Sequence, residues 1–291
     1  MLSKNAVTLL RIPFSFYLMP VYFFALSQCN TINYTHAVLI FFILHLFIYP
    51  ASNGYNSYQD QDETSIGGLK NPPKATKDLF YLTLLFDAIG LALSLFVGVT
   101  FFIGTLIYMA VSRAYSYKGI RLKKYPILGF LSVIIFQGAV SFLNIYCGIS
   151  GAAPSQIIYS TILYPIIASS FLIGGVYPLT QIYQHVQDAK SGDKTISMLL
   201  GYRGTFIFSI VCFAGANIIL LRYFTLINSQ NSFYIIQLFL LPVFYVFVRW
   251  FLKVIKSTAE ASFENTMRMN TIASLMMNAC FLFLFFIKIK Y

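Results

Sequence analysis

Tyr49-Pro50-Ala51-Ser52-Asn53-Gly54-Tyr55-Asn56-Ser57-Tyr58-Gln59-Asp60 closes one apolar run of this chain, and Tyr177-Pro178-Leu179-Thr180-Gln181-Ile182-Tyr183-Gln184-His185-Val186-Gln187-Asp188 closes another. Both read Y-P-x-[ST]-[NQ]-x-Y-[NQ]-x-x-Q-D. A polar phrase repeated in one order after two membrane-length runs predicts a bundle in which two similar helix ends face a single site. On a helix, Asn53, Asn56 and Asp60 stand at i, i+3 and i+7 and form one stripe. Gln181, Gln184 and Asp188 are predicted to repeat it. Amide oxygens beside a carboxylate are hard donors that suit Mg²⁺, an ion held by one or two carboxylates together with waters and substrate phosphates. Asp62 and Glu63 follow the first stripe and Asp193 the second, so Asn56, Asp60, Asp62, Gln184, Asp188 and Asp193 are the candidate metal ligands. Ordinary interfacial polarity does not account for the same residues recurring in the same order.

Hydrophobic residues make up 58% of the 291 and charged ones 10%, against roughly 25% charged in an average soluble domain. The chain is therefore a polytopic membrane protein. Runs of about 20 mainly apolar residues are predicted near Val7 to Leu26, His36 to Ala51, Leu79 to Val97, Val99 to Val111 and Tyr125 to Tyr146. Four more lie near Ile157 to Ile182, Gly204 to Leu221, Phe233 to Phe251 and Ile272 to Ile287. Lys and Arg concentrate in cytoplasmic loops. With the N-terminus inside, only Arg222, Lys288 and Lys290 of the 20 Lys and Arg fall on the outer side, and a miscount before the seventh span would scramble this separation. The net charge of +11 is dispersed over these membrane-flanking loops, where topology and anionic headgroups explain it, so nucleic-acid binding is excluded. Cys29, Cys147, Cys212 and Cys280 have no metal or C-x-x-C spacing and read as packing residues. Arg11 interrupts the first apolar run, which is kept as a span and not a cleaved signal.

Lys70 and Lys74 in the first inner loop and Lys190 and Lys194 beyond the second phrase are candidates to hold phosphate oxygens through charge-assisted contacts. The inner loop Tyr115 to Pro126 offers Tyr115, Lys118 and Arg121, either as substrate contacts or as a positive anchor. Tyr55 and Tyr183 recur within the phrases and are candidates to face a cation. His185 is a candidate base or a plain interfacial histidine. Asp87, buried in the third span, is costly there and marks either a functional group or one bonded to a neighbouring helix.

With these residues in view the chain resembles the UbiA superfamily of intramembrane prenyltransferases, over essentially its whole length. Such proteins carry nine membrane helices and two aspartate-rich motifs. The first, about N-D-x-x-D-x-x-x-D followed by an N-P-basic segment, is met by Asn56-x-x-x-Asp60 and Gly67-Gly68-Leu69-Lys70-Asn71-Pro72-Pro73-Lys74. The second, about D-x-x-x-D-x-x-x-G-x-x-T-L, is met by Gln184-x-x-x-Asp188-Ala189-Lys190-Ser191-Gly192-Asp193-Lys194-Thr195-Ile196. Asn56 and Gln184 stand where the family has an acid, a coordinated departure, and Asp62, Glu63 and Asp193 are candidates to restore charge.

The resemblance implies one all-α domain over residues 1–291, a nine-helix bundle whose central cavity opens to the cytoplasmic side. The implied activity is Mg²⁺-dependent transfer of a prenyl group from a prenyl diphosphate to an aromatic or other lipophilic acceptor, in quinone or related isoprenoid synthesis. Asp60, Asp188, Asn56 and Gln184 are then catalytic. Asn53, Gln181, Tyr55, Tyr183, Tyr115, Lys70, Lys74, Lys118, Arg121, Lys190 and Lys194 then hold substrate. A membrane terpene cyclase and a non-catalytic isoprenoid carrier are the alternatives. The expected setting is a bacterial cytoplasmic membrane.

Overall fold

The computed structural model describes residues 3–290, without the side chains of residues 289 and 290, so the charge of Lys290 lies outside the described residues. Among them are nine helices long and apolar enough to cross a membrane. They are α1 (Lys4–Gln28), α2 (Tyr34–Asp60), α3 (Lys77–Val97), α4 (Val99–Ser116), α5 (Pro126–Ser150), α6 (Leu163–Gln181), α7 (Ile196–Leu226), α8 (Gln230–Lys256) and α9 (Phe263–Lys288). The second, fourth and ninth runs, short by hydropathy, are full spans, because their polar ends are helical too. The whole first phrase is the last turns of α2.

Neighbouring helices in the chain pack on one another, and α9 returns against α1, so the bundle closes into a ring. Lys288 locks that closure by donating to the carbonyls of Ser27, Gln28 and Cys29 at the end of α1, where helix carbonyls lack partners. Two glycines set close geometry. Gly98, at φ 140°, is the entire connection between α3 and α4 and takes a conformation side chains avoid. Gly138 of α5 lies so near α6 that a Cβ would sit 2.7 Å from the Ser170 Cα, the small-residue contact by which membrane helices approach without an aqueous hydrophobic drive.

Several spans are irregular, among them α1, α2 and α5, the last through a π-helical stretch at Ile134–Val140. α1 breaks at Arg11, at φ 49°, before Pro13 and a 3₁₀ stretch. α2 carries a π-helical stretch, Ile43–Ile48, directly ahead of Pro50. A proline inside a helix clashes with the carbonyl four residues earlier, and wider turns of this kind accommodate it.

Candidate functional site

The ring encloses a cavity of about 700 Å³ lined by eight of the nine spans, α3 contributing none of the described residues. One end is ringed by Asn56, Asp60, Asp62, Gln184, Asp188 and Asp193 with Arg11, Arg121 and Lys123. Towards the other end the lining becomes Phe24, Phe213, Phe247 and Phe281, interrupted by the hydrogen-bonded amides of Gln237 and Asn217, 2.8 Å apart. The cavity thus joins a charged mouth to an apolar barrel.

The first phrase is held as a helix by α4. Ser52 bonds to Ser112, and one turn on the Asn56 Nδ2 donates to the Ser116 Oγ at 2.9 Å. Between them Tyr55 lies under the Arg113 guanidinium, 3.9 Å from the ring centre. Arg113 is in turn ion-paired to Asp87 of α3. Of the two readings of Asp87, the bonded one describes the structure, and neither it nor Tyr55 lines the cavity.

The second phrase departs from its expected geometry. α6 ends at Gln181, the chain turns through residues 182–184, and a separate short helix runs His185–Ser191. Gln181, Gln184 and Asp188 therefore do not form one helical stripe. The cause is tertiary: the start of α7 draws the segment in. The Ser197 amide donates to the Gln181 Oε1 at 3.3 Å, and His185 bonds the Ser197 hydroxyl at 2.8 Å while stacking on Tyr202. His185 is thus an anchor between segments, and burial lowers its pKa. Nonetheless Gln181, Tyr183, Gln184 and Asp188 all reach the cavity.

The amides that replace acids share one arrangement. Asn56 gives its N–H to the Ser116 hydroxyl, and Gln184 gives its own to the Ser65 carbonyl at 3.4 Å. A carboxylate has no hydrogen to give a carbonyl, so an amide at 184 fixes the loop while keeping an oxygen free.

Arg121 and Lys123 bridge Asp60 of the first phrase and Asp193, which follows the second. Arg121 makes a bidentate contact to Asp193, at 2.7 and 2.8 Å, and lies 3.4 Å from the Asp60 Oδ1, while Lys123 pairs with Asp60 and lies 3.7 Å from Asp193. The hydrogen bonds that Arg121 donates to Asp193 raise the Arg121 pKa. Asp62 accepts from Gln187, joining the first loop to the second phrase. Burial, reinforced by Asp60, pushes the Asp62 carboxyl up to about 6. Asp188 has no ion-pair partner among the described residues, and burial pushes it up to about 7, with Lys123 opposing and Asp193, Asp60 and Asp62 adding to the rise. The Asp60 Oδ1 is buried without a hydrogen bond. A doubly charged cation beside the Asp60 Oδ1, which accepts no hydrogen bond, and the Asp188 carboxylate, which has no ion-pair partner among the described residues, would fit this donor set. Among the described residues no three His, Cys, Asp or Glu cluster as a cage, so amide, water or phosphate oxygens would complete the shell.

Of the other basic candidates, Lys70 is exposed and paired with Glu264 at the start of α9, and Lys74, Lys118, Lys190 and Lys194 are exposed and off the cavity lining. Asn53 and Tyr115 line it, Tyr115 bonded to Tyr177 of the second phrase. Sequence reasoning missed Arg11 and Lys123 as site residues. Arg11 donates to the carbonyls of Gly67 and Asn53, both at 3.0 Å, and its signal was present as a cation inside an apolar span. Lys123 was hidden among the other cations of its loop.

The family model of the UbiA prenyltransferase family matches residues 17–272. The chain belongs to the UbiA prenyltransferase family. It is a prenyltransferase and an integral membrane protein. Among solved structures it is similar to a UbiA homologue from Archaeoglobus fulgidus bound to DMAPP and Mg²⁺, at 18% identity, covering 97% of this chain and 99% of that one, TM-score 0.69. It is similar to a UbiA homologue from Aeropyrum pernix K1 without ligand, at 16% identity, covering 94% and 98%, TM-score 0.69. A digeranylgeranylglyceryl phosphate synthase is similar at 17% identity, covering 99% of each chain, TM-score 0.61. At these identities the structures establish the shared nine-helix fold. No curated protein matches.

Proposed function

We propose that this UbiA-family chain transfers a prenyl group from a prenyl diphosphate to a lipophilic acceptor, with Mg²⁺ held between Asp60 and Asp188. The supporting observation is that both phrases, from different helices, deliver an amide and an acid to one cavity mouth, with Arg121 and Lys123 between them. The Archaeoglobus homologue's bound DMAPP and Mg²⁺ fit this reading. Bound Mg²⁺ would supply Lewis-acid neutralisation of charge growing on the diphosphate.

Asp60 and Asp188 would hold the ion, with Asn56 and Gln184 offering their free oxygens. Asp193 would aim Arg121, and Asp62 would tie the first loop to Gln187. Arg121 and Lys123, released from Asp60 as substrate arrives, would donate to phosphate oxygens. The C1–O bond of the prenyl diphosphate breaks and its electron pair leaves with the diphosphate. An acceptor atom supplies the pair of the new bond to C1, and the proton it sheds passes to the departing diphosphate. The phenylalanines of the barrel keep water from the allylic cation and face it with electron-rich rings. The mouth lies on the side of the Lys- and Arg-rich loops, the cytoplasmic side by charge distribution.

The test is diphosphate release by the purified protein in nanodiscs from labelled prenyl diphosphates of several lengths, with Mg²⁺ or EDTA and a panel of acceptors. Folded protein that consumes none of them would overturn the reading.

A further inference from the structure

Beneath the charged mouth α9 presents two polar groups that the transfer chemistry above does not use. Asn270 and Ser274 lie one turn apart on one face of α9, line the cavity, and are each only 6% exposed. Neither side chain has a hydrogen-bond partner among the described residues, yet neither is sealed from the cavity. Asn270 is about two turns from the start of α9, where Glu264 pairs with Lys70 of the loop that follows α2. Tyr17 of α1, also in the lining, bonds the neighbouring Thr271 at 3.0 Å and fixes this part of α9 against α1.

An isoprenoid tail would leave both groups unpaired, which buried polar groups avoid. An amide and a hydroxyl each donate and accept, so together they suit a ligand hydroxyl or carbonyl. Charge narrows the class further. The cations among the described lining residues are Arg11, Arg121 and Lys123. Arg11 is spent on the Gly67 and Asn53 carbonyls, and the other two, which face Asp60 and Asp193, are taken up by the diphosphate in the reading above. A carboxylate or phosphate seated against α9 would be buried without a counter-ion, a costly arrangement.

We infer, resting on the prenyl-transfer reading, that Asn270 and Ser274 form the acceptor subsite and that the acceptor is an uncharged, lipophilic, hydroxyl- or carbonyl-bearing molecule. Its ring carbon or hydroxyl oxygen supplies the electron pair to C1, and the proton lost goes to the diphosphate as above.

The test compares a neutral hydroquinone with the same ring carrying a carboxylate, using the full chain in nanodiscs with Mg²⁺ and labelled prenyl diphosphate. The neutral acceptor is expected to give about tenfold or higher kcat/KM. Asn270→Leu and Ser274→Ala should each raise the acceptor KM about threefold to tenfold, the loss of one neutral hydrogen bond, while the KM for prenyl diphosphate holds. Asn270→Arg should shift preference towards the carboxylated ring. Equal or better use of the carboxylated ring by the unmodified protein, or an acceptor KM that neither Asn270→Leu nor Ser274→Ala moves, would overturn the subsite while prenyl transfer stands. Absence of any prenyl diphosphate consumption would overturn the underlying reading and this one with it.

Discussion

The two Tyr-Pro phrases use nearly the same residues in different backbones. The first is continuous helix to Asp60, braced sideways by a ladder from α4, whereas the second breaks after Gln181 and restarts at His185, braced by the start of α7. What the repetition preserves is the delivery of one amide and one acid to the same mouth, by whatever local path the neighbours impose. The departures from the family pattern fit this view, since Asn56 and Gln184 both use their N–H groups to hold the local frame.

The sharpest way to break the comparison is to remove each acid. Asp60→Asn and Asp188→Asn should each lower turnover on the order of a hundredfold to a thousandfold, the scale of losing one preorganised electrostatic group. Diphosphate release measures this, and a large loss at one acid alone would make the other phrase a structural relic. Next in size, Asp87→Asn should destabilise the first frame by about 2 kcal/mol, because it strands the partly buried Arg113 guanidinium, and thermal unfolding in nanodiscs would report it. Replacing both partners by leucine should recover most of that loss. Third, the metal requirement should depend on pH through the second phrase. With the Asp188 carboxyl at about 7, the Mg²⁺ concentration for half-maximal activity should be about tenfold higher at pH 6 than at pH 8, since the proton competes with the ion. The stability sign is the reverse of the usual carboxylate. A raised folded pKa favours the metal-free protein below the unfolded value near 4, and that contribution fades as pH rises through about 7, so Mg²⁺ should stabilise the protein more at pH 8 than at pH 6. Smallest, Ser197→Ala should cost about 1 kcal/mol by releasing His185, with little effect on the first phrase, as a shift in unfolding temperature.

Much of the fold was legible. Long apolar runs are bilayer-length signals, and the loop cations sorted to one face because insertion biases them there. The candidate acids were legible because polar residues are conspicuous in a chain so apolar. Helix ends were less so: hydropathy cut α2 short at the phrase, since it scores the side chains at a helix end and not the backbone bonds that continue through them. Arg11 and Lys123 went unassigned for opposite reasons, one masked by a structural reading as a span interrupter and one by the surplus of cations in its loop. Asn270 and Ser274 carried no motif at all.

The sequence by itself determined nine spans, a common face for the basic loops and two acidic phrases at helix ends, because hydrophobic length, charge asymmetry and repetition are local properties of the chain. Only the tertiary structure decided which cations meet which acids, that the second phrase breaks where the first does not, and that two polar side chains of α9 look into the cavity. Those outcomes depend on contacts between residues far apart in sequence. There, a hydroxyl at Ser197 or a ladder from α4 outweighs the small intrinsic preference of a few residues for continuing a helix.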